Sequence, residues 1–173
     1  PTVFLAEAVP YQLINEGLQR LRAHADLHSA LRRGGARAVA RVVAAGGIAG
    51  LLVDRNVRRS QGGIWVPFLG LEARTTPLAA WASVRYDKPI NPVICLPKHD
   101  GRYRLVVHED ITEGIADVAE AERVPVLMGR INALLETYIR ADPTLWQWRL
   151  KRFKSRPTAE QGSYPPYSEH DPD

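Results

Sequence analysis

One segment of the sequence combines an acidic residue with a cluster of arginines. Asp54 follows the apolar run 48–53, and Arg58 and Arg59 lie in the polar loop that comes next. An acid at the end of a buried strand is a common site position in open α/β sheets. The planar guanidinium of arginine suits phosphates and carboxylates. The segment therefore predicts an anion-binding loop, although Asp54 could also serve only to cap its own loop.

Histidine and cysteine give little support for a metal site or a reactive thiol. The single cysteine, Cys95, lies in an apolar run, which favours a buried side chain. With one cysteine, the chain cannot form an internal disulfide. His24 and His28 have the i, i+4 spacing of a metal-binding pair, but no obvious third ligand accompanies them. The sequence therefore predicts no metal.

The net charge of the chain indicates which classes of partner suit it but does not identify one. The 173 residues include 23 lysines and arginines and 19 aspartates and glutamates, which give a net charge of +4. Such a surface could serve nucleic acid, anionic lipid or an acidic protein. No recognition motif supports nucleic acid, so we predict no nucleic-acid partner. No apolar stretch approaches the roughly 18 residues that span a bilayer.

Hydrophobic periodicity predicts an α/β fold. The order of strand, two helices, strand, helix, hairpin and long helix favours helices packed on a mixed sheet. Within the strand over 65–69, Pro67 argues against a central position in the sheet. The predicted strands are 3–7, 48–53, 65–69, 91–96 and 103–108; the predicted helices begin at Pro10, at about Leu27 or Gly35, at 75–77 and at Pro125, with ends near Arg22, Ala45, Tyr86 and Ala141.

The end of the chain differs in composition from the rest. From Ser155 onward the sequence is rich in proline, serine and acidic residues and poor in aliphatic ones. Such a composition is typical of segments that do not bury a core. We therefore predict one domain over 1–157 and a disordered tail over 158–173.

Two separated segments resemble motif blocks of a known family. Asp54 to Gly70 joins the acid, the basic loop and a Val-Pro-Phe-Leu-Gly run, and a helix with a Thr-Thr-Pro start follows. Pro143 to Pro157 contains Trp-Gln-Trp and Arg-Phe-Lys-Ser-Arg-Pro. In their order and spacing, both segments are similar to blocks of the bacterial lipid A biosynthesis acyltransferases. The resemblance covers residues 2–157.

The resemblance implies a fold, a location and a reaction. The fold would be glycerolipid-acyltransferase-like, a mixed sheet flanked by helices, at the cytoplasmic face of the bacterial inner membrane. The reaction would move a fatty acyl chain from acyl carrier protein, or acyl-coenzyme A, to a lipid A precursor in lipopolysaccharide biosynthesis. A His-x-x-x-x-(Asp or Glu) pair would take the proton of the acceptor hydroxyl. No metal and no bound organic cofactor is implied.

The general base of this reaction is not evident in the sequence. The family places the histidine shortly before a segment like Val3–Glu7, so we expect it upstream of Pro1 and interpret the chain as a C-terminal portion. His108 and Glu113 have the same spacing. They follow the hairpin strand, where the family carries no catalytic residue, so His108 is predicted to be a solvated residue at a strand end.

The family pattern also assigns roles to arginines. Arg22, in an Arg-x-Arg pair with Arg20, matches an arginine that binds phosphate or stabilises a developing oxyanion. Alternatively, both are solvated charges favoured by the helix dipole. Asp54 would support catalysis, and Arg58 and Arg59 would bind substrate phosphates.

The closing segment, residues 143–157, predicts a membrane-facing surface. Trp146, Trp148, Arg152 and Lys154 would face the membrane, because tryptophan favours the headgroup region and basic side chains favour anionic lipid. The alternative is an aromatic pair packed in the core beside a solvated basic face.

Two other functions stay open at this point. The missing histidine motif suggests a catalytically incomplete remnant that binds lipid or carrier protein. Acylation of another membrane glycolipid, such as a phosphatidylinositol mannoside, is the second. The Trp-Gln-Trp and Arg-Phe-Lys ending favours lipid A.

Overall fold

The chain forms two compact units, where the sequence predicted one domain over 1–157. The computed structural model describes residues 2–6, 11–24, 29–31 and 34–171. The first unit comprises residues 1–52 and 85–88, and the second comprises residues 53–84 and 89–173. The predicted α/β class is confirmed. Within these described ranges the strands form four small sheets, and not the single mixed sheet that the sequence suggested.

The first unit is built on a parallel three-stranded sheet in the order β2-β1-β3. Parallel strands require crossover connections, and each crossover here contains a helix. The sheet places Phe4 opposite both Ser29 and Gly50. The elements are β1 (Thr2–Ala6), α1 (Gln12–His24), β2 (Ser29–Leu31), α2 (Gly35–Ala44) and β3 (Ile48–Gly50).

The two helices of this unit differ in burial. Helix α2 contacts the strands and buries Val39 and Val43, as its apolar periodicity predicted. It ends where the Gly46-Gly47 pair was expected to stop it, with Gly46 at a positive φ and the Gly47 N–H bonded to Val42 O at 2.9 Å. Helix α1, by contrast, has no buried residue and exposes Leu13.

The second unit begins with a hairpin whose second strand the sequence did not reveal. Its two-residue turn, Leu69-Gly70, has positive φ at both positions, as a type I′ turn requires. The Leu69 N–H bonds the Glu136 carboxylate at 2.7 Å, which holds this unusual backbone. The elements are β4 (Ile64–Phe68), β5 (Leu71–Thr75), α3 (Leu78–Tyr86), β6 (Val93–Pro97), β7 (Tyr103–Val107), α4 (Glu120–Ala141), β8 (Ser155–Arg156) and β9 (Glu169–His170).

Helix α4 organises the core of this unit. It lies against β4, and fully buried Asn132 donates a hydrogen bond to Pro67 O at 2.9 Å. Pro67 lies in a two-stranded sheet, in agreement with the prediction that it avoids a central strand. Two hydrophobic clusters result: one contains Val66, Ala80, Leu127, Met128 and Ile131, and the other Phe68, Ala73, Ile139 and Phe153.

The hairpin of β6 and β7 corrects the prediction for the lone cysteine. The two strands pair antiparallel, with Cys95 opposite Leu105. Cys95 is exposed, whereas its apolar neighbourhood in the sequence predicted a buried side chain. The reason is that Cys95 shares its face of the hairpin with the exposed residues Val93 and Leu105, while the partly buried Ile94 and Leu96 point to the other face.

Residues 158–171 differ from the predicted disordered tail. Strand β9 pairs with β8, and the Tyr164 hydroxyl both donates to Glu72 O and accepts from Glu72 N–H, each at 3.1 Å. Tyr164 and Tyr167 pack against the cluster around Phe68. These tyrosines give the segment an apolar surface to bury, which its content of proline, serine and acids concealed.

We expect Tyr164→Phe to lower the free energy of unfolding by about 1–2 kcal/mol, because it removes both hydrogen bonds and keeps the ring. Burial raises the pKa of Tyr164. The unfolded tyrosine therefore ionises first, and its contribution to stability is lost as pH rises above about 10. Urea denaturation at pH 7.5 and pH 10.5 measures both effects.

Tyr167→Phe is the matched control. Its ring packs on the same cluster and beneath Lys151, so the change in unfolding free energy should stay within about 0.5 kcal/mol. Equal losses for the two variants would show that the Glu72 hydrogen bonds contribute nothing specific.

Candidate functional site

The two motif segments meet in the second unit. The Asn56 side chain donates to Ser155 Oγ at 3.3 Å, and the Ser155 N–H donates to Asn56 Oδ1 at 3.3 Å. The Phe68 ring lies 5.4 Å from the Trp146 ring and 5.9 Å from the Phe153 ring. Residues that are 99 positions apart in sequence thus form one junction.

Arg152 lies at the centre of this junction. Its side chain is only 3% exposed, so the prediction that it faces a membrane is wrong. The guanidinium donates to Arg74 O at 2.7 Å and to the Thr75 hydroxyl at 2.5 Å. It also lies over the Phe68 ring, 5.1 Å from its centroid. One arginine of the closing segment therefore binds the end of β5 and the aromatic core together.

Asp54 supplies the charge that accompanies this buried arginine. Burial lowers the pKa of Arg152 to about 10, and the negative charge of Asp54 opposes that shift. The guanidinium therefore stays protonated at neutral pH. One carboxylate oxygen of Asp54, Oδ1, is buried without a hydrogen-bond partner among the described residues. The predicted site residue therefore acts on Arg152 through its negative charge, without a direct hydrogen bond to it among the described residues.

A second buried arginine, Arg74, holds the other end of the basic loop. It donates to Gly63 O at 2.8 Å and to Asp171 O at 3.0 Å, and its Nε lies 3.6 Å from the Asp171 carboxylate. Its guanidinium stacks over Trp65 at 4.2 Å. Arg74 was not predicted as a site residue, because the sequence suggested no strand between Gly70 and the helix start at 75–77. The available signal was the alternation of apolar or small residues with the charged Glu72 and Arg74 over 71–75.

The basic loop between Asp54 and β4 has a fixed backbone. A short 3-10 turn spans Arg59–Gln61, and the N–H groups of Gln61 and Gly63 both bond Arg58 O. A Cβ on Gly63 would lie 2.0 Å from Val57 O, so only glycine fits. Arg58 and Arg59 are exposed on this frame. The loop therefore presents two guanidinium groups from a rigid support.

Comparison with known families decides the assignment. A sequence model of the family described as bacterial lipid A biosynthesis acyltransferase matches residues 4–155. The chain belongs to this family. A comparison with individually curated proteins found no match. The matched range includes the basic loop and nearly all of the closing segment, and it ends at the junction residue Ser155.

The other predicted arginine pair lies in the first unit. Arg20 and Arg22 lie in the second half of α1, Arg20 exposed and Arg22 partly buried. The Nη1 atom of Arg22 is buried without a hydrogen-bond partner among the described residues. A buried donor without an acceptor is costly, which is unusual for a solvated helix-end charge. Of Arg20 and Arg22, it is therefore Arg22 that has a buried N–H group without an acceptor among the described residues.

The histidine with the catalytic spacing, His108, makes a different contact in the structure. His108 is half-buried; its Nε2 lies 2.9 Å from the Tyr138 hydroxyl, and the rings meet edge to face. It is thus packed against α4, whereas the sequence predicted a solvated side chain. His24 is exposed at the end of α1, and His28 lies outside the described residues. Within the described ranges no group of three metal-ligating side chains occurs.

The remaining members of the predicted membrane-facing strip are unevenly exposed. Trp148 is 55% exposed and its Nε1 donates to Pro143 O at 2.9 Å. Trp146 packs on Phe68, and Lys154 is partly buried beside β9, where its carbonyl accepts the Glu169 N–H. Among the helices that the structure describes, none is long and apolar enough to cross a membrane.

We expect Arg152→Met to lower the free energy of unfolding by about 2–4 kcal/mol, because it removes two hydrogen bonds to the end of β5 and leaves their buried acceptors with fewer donors. Arg149→Met changes an exposed arginine of the same segment and should cost less than about 0.5 kcal/mol. Denaturant unfolding measures both. Similar costs for the two variants would contradict the central role of Arg152.

Gly63→Ala should destabilise the protein by about 1–3 kcal/mol, because the new Cβ meets the Val57 carbonyl. Gly129→Ala is the control: it lies in α4 with no atom near its Cβ position, so it should be neutral or stabilise by up to about 1 kcal/mol. Thermal unfolding of both variants tests the rigidity of the basic loop. A neutral Gly63→Ala would show that the loop backbone can adapt.

Proposed function

We propose that this chain holds the substrates of a reaction that moves a fatty acyl chain from acyl carrier protein to a lipid A precursor. Membership of the family supports an acyltransferase of lipid A biosynthesis. The identity of the donor and of the acceptor is our proposal. One observation supports this assignment: the two motif segments meet around Arg152. Beside them lies the rigid basic loop that presents Arg58 and Arg59, called the arginine loop from here on.

The arginine loop suits the phosphates of a lipid A precursor. Arg58 and Arg59 are exposed, and their backbone is fixed by the turn over 59–61 and by Gly63. Guanidinium groups bind phosphate through two parallel hydrogen bonds. A support that is ordered before binding reduces the entropy lost on binding. Arg20 and Arg22 are the second candidate pair for a phosphate of the donor or the acceptor.

Asp54 acts in this proposal as a positioning residue. Its charge compensates Arg152, and Arg152 fixes the end of β5, whose Arg74 bonds Gly63 at the end of the arginine loop. Proton transfer belongs to the family's His-x-x-x-x-(Asp or Glu) pair. His108 is not assigned to it, because its ring nitrogen is engaged with Tyr138.

The proposal locates the reaction at the cytoplasmic face of the inner membrane, because the acceptor is a membrane glycolipid. Acyl carrier protein, with acyl-coenzyme A as the alternative donor, would approach from the aqueous side. The net charge of +4 favours both an acidic donor and an anionic membrane. Among the residues of the predicted membrane-facing strip, the exposed Trp148 is best suited to contact lipid headgroups.

The first test concerns the arginine loop. Arg58→Gln/Arg59→Gln, in the protein expressed from its full open reading frame, should raise KM for the lipid A precursor about tenfold or more with a smaller change in kcat. Arg37→Gln/Arg41→Gln removes the same charge from exposed positions of α2 and should leave KM unchanged. If both double variants raised KM equally, the arginine loop would act only through its contribution to the net charge.

The second test concerns Asp54 and Arg22. We expect Asp54→Ala and Arg22→Ala each to lower acyl transfer at least about tenfold, with Asp54→Glu partly restoring it. Rates close to wild type in either variant would refute that assignment. A folded wild-type protein that transfers no acyl group from any donor, yet binds lipid or carrier protein, would favour a binding function instead.

A further inference from the structure

Residues 169–171 bring two carboxylates to the arginine loop and its support. The Glu169 carboxylate lies 3.9 Å from Arg58 Nη2, and the Asp171 carboxylate lies 3.6 Å from Arg74 Nε. The two acidic residues are two positions apart, and alternate residues of an extended segment point to the same side. Glu169 and Asp171, called the acidic strap, lie beyond residue 155, where the match to the family ends.

The backbone of the acidic strap is fixed to the closing segment. The Glu169 N–H donates to Lys154 O at 2.7 Å, and the Asp171 N–H donates to Arg156 O at 3.0 Å. These two bonds flank the pairing of β9 with β8. Strand β8 is in turn bonded to the start of the basic loop. Both carboxylates therefore reach the arginine loop from a position that is held on the same frame.

Asp171 acts on a buried guanidinium. The Arg74 side chain is 3% exposed, and the Asp171 carbonyl accepts a second contact from its Nη2 at 3.0 Å. Arg74 also donates to Gly63 O at 2.8 Å, at the end of the arginine loop. Because this contact is shielded from water, a dissolved anion does not replace it easily. Asp171 is therefore placed as a positioning residue for the loop.

Glu169, by contrast, acts on an exposed guanidinium. The side chains of Arg58 and Glu169 are 57% and 66% exposed. An ion pair between such exposed groups contributes little stability. A phosphate binds a guanidinium through two parallel hydrogen bonds, which are stronger than one loose contact with a carboxylate. Glu169 is therefore placed to occupy Arg58 until a phosphate replaces it.

We propose that the acidic strap sets the affinity of the arginine loop for phosphate in two opposite directions. Asp171 raises the affinity, because it holds the loop through Arg74 and Gly63. Glu169 lowers the affinity, because its carboxylate competes with phosphate for Arg58. The proposal rests on the function proposed above for the source of the phosphate, which is the lipid A precursor. The pairing of Glu169 with Arg58 does not depend on acyl transfer.

Steady-state kinetics test the two directions in the protein expressed from its full open reading frame. Glu169→Gln should lower KM for the lipid A precursor about twofold to fivefold, with kcat unchanged. Asp171→Asn should raise KM about threefold to tenfold, because the loop loses its preorganisation, and Asp171→Glu should restore part of the loss. The control, Glu160→Gln, removes the same charge from an exposed position and should leave KM unchanged.

A double-mutant cycle separates competition for Arg58 from a general effect of charge. In an Arg58→Gln background, Glu169→Gln should leave KM unchanged, because the group for which Glu169 competes is absent. An equal decrease of KM in both backgrounds would show that Glu169 acts only through long-range repulsion, and it would overturn the proposal.

Chemical modification tests the pairing without acyl transfer. Phenylglyoxal reacts with guanidinium groups, and mass spectrometry of peptides gives the rate at each arginine. Glu169→Gln should speed the modification of Arg58 about twofold or more and leave Arg59 unchanged. Inorganic phosphate should protect Arg58 at a concentration about twofold to fivefold lower in this variant than in wild type. Glu160→Gln should match wild type in both measurements.

The results separate this proposal from the proposed function. Wild-type reactivity and phosphate protection of Arg58 in Glu169→Gln would overturn the strap. An unchanged KM in Glu169→Gln would also overturn it, and the function would stand if Arg58→Gln/Arg59→Gln still raised KM. If the reactivity and protection change as expected while no loop variant alters KM, the strap controls an anion site that the precursor does not use. The proposed function then fails and the strap stands.

The positioning role of Asp171 has its own contrary outcome. A folded Asp171→Asn variant whose KM equals or falls below that of wild type would refute it. Circular dichroism checks the fold of each variant. If Asp171→Asn does not fold, Asp171→Glu decides the question, because it keeps the charge and moves it away from the position that the structure shows.

Discussion

The buried guanidinium of Arg152 joins the closing segment to the end of β5. Burying an arginine costs less when a nearby negative charge favours its charged form and its donors find acceptors. Here the charge of Asp54 favours the protonated guanidinium, and the Arg74 carbonyl and the Thr75 hydroxyl accept hydrogen bonds, while Nε has no partner among the described residues. These partners come from the start of the basic loop and from the end of β5. The arginine therefore fixes the closing segment on the body of the second unit, and the exposed arginines of the loop depend on that frame.

Arginine thus has two separate roles in this molecule. Arg74 and Arg152 are buried and bond mainly to backbone carbonyls, so they shape the junction. Arg58 and Arg59 are exposed on the rigid loop and are free to meet an anion from solution, although Arg58 also lies within 3.9 Å of the Glu169 carboxylate. The exposed arginines can select a ligand only because the buried ones hold their support in place. Composition alone counts these residues together and cannot separate the two roles.

The sequence predicted the local elements well and their burial poorly. Helix α4, the stop at Gly46 and the hairpin of β6 and β7 follow from periodicity and turn residues. Strand β5 was missed because its five residues directly precede the Thr-Thr-Pro helix start, and the order of the tail was missed because Tyr164 and Tyr167 are two residues in a polar segment. The motif segments identified the family. They did not show that Arg152 is internal, since a basic run looks the same whether it faces solvent or a buried carboxylate.

The pairing of Asn56 with Ser155 has a consequence for how the protein is made. These residues are 99 positions apart, and Tyr164 bonds Glu72 across 92 positions. A junction of such distant residues must wait for a long loop to close, which slows folding. During synthesis the arginine loop leaves the ribosome well before Arg152 and residues 158–171, so its support forms only after those residues have emerged. Until then Phe68 and the end of β5 lack their covering segment, and a chaperone that binds exposed aromatic strands would find them there.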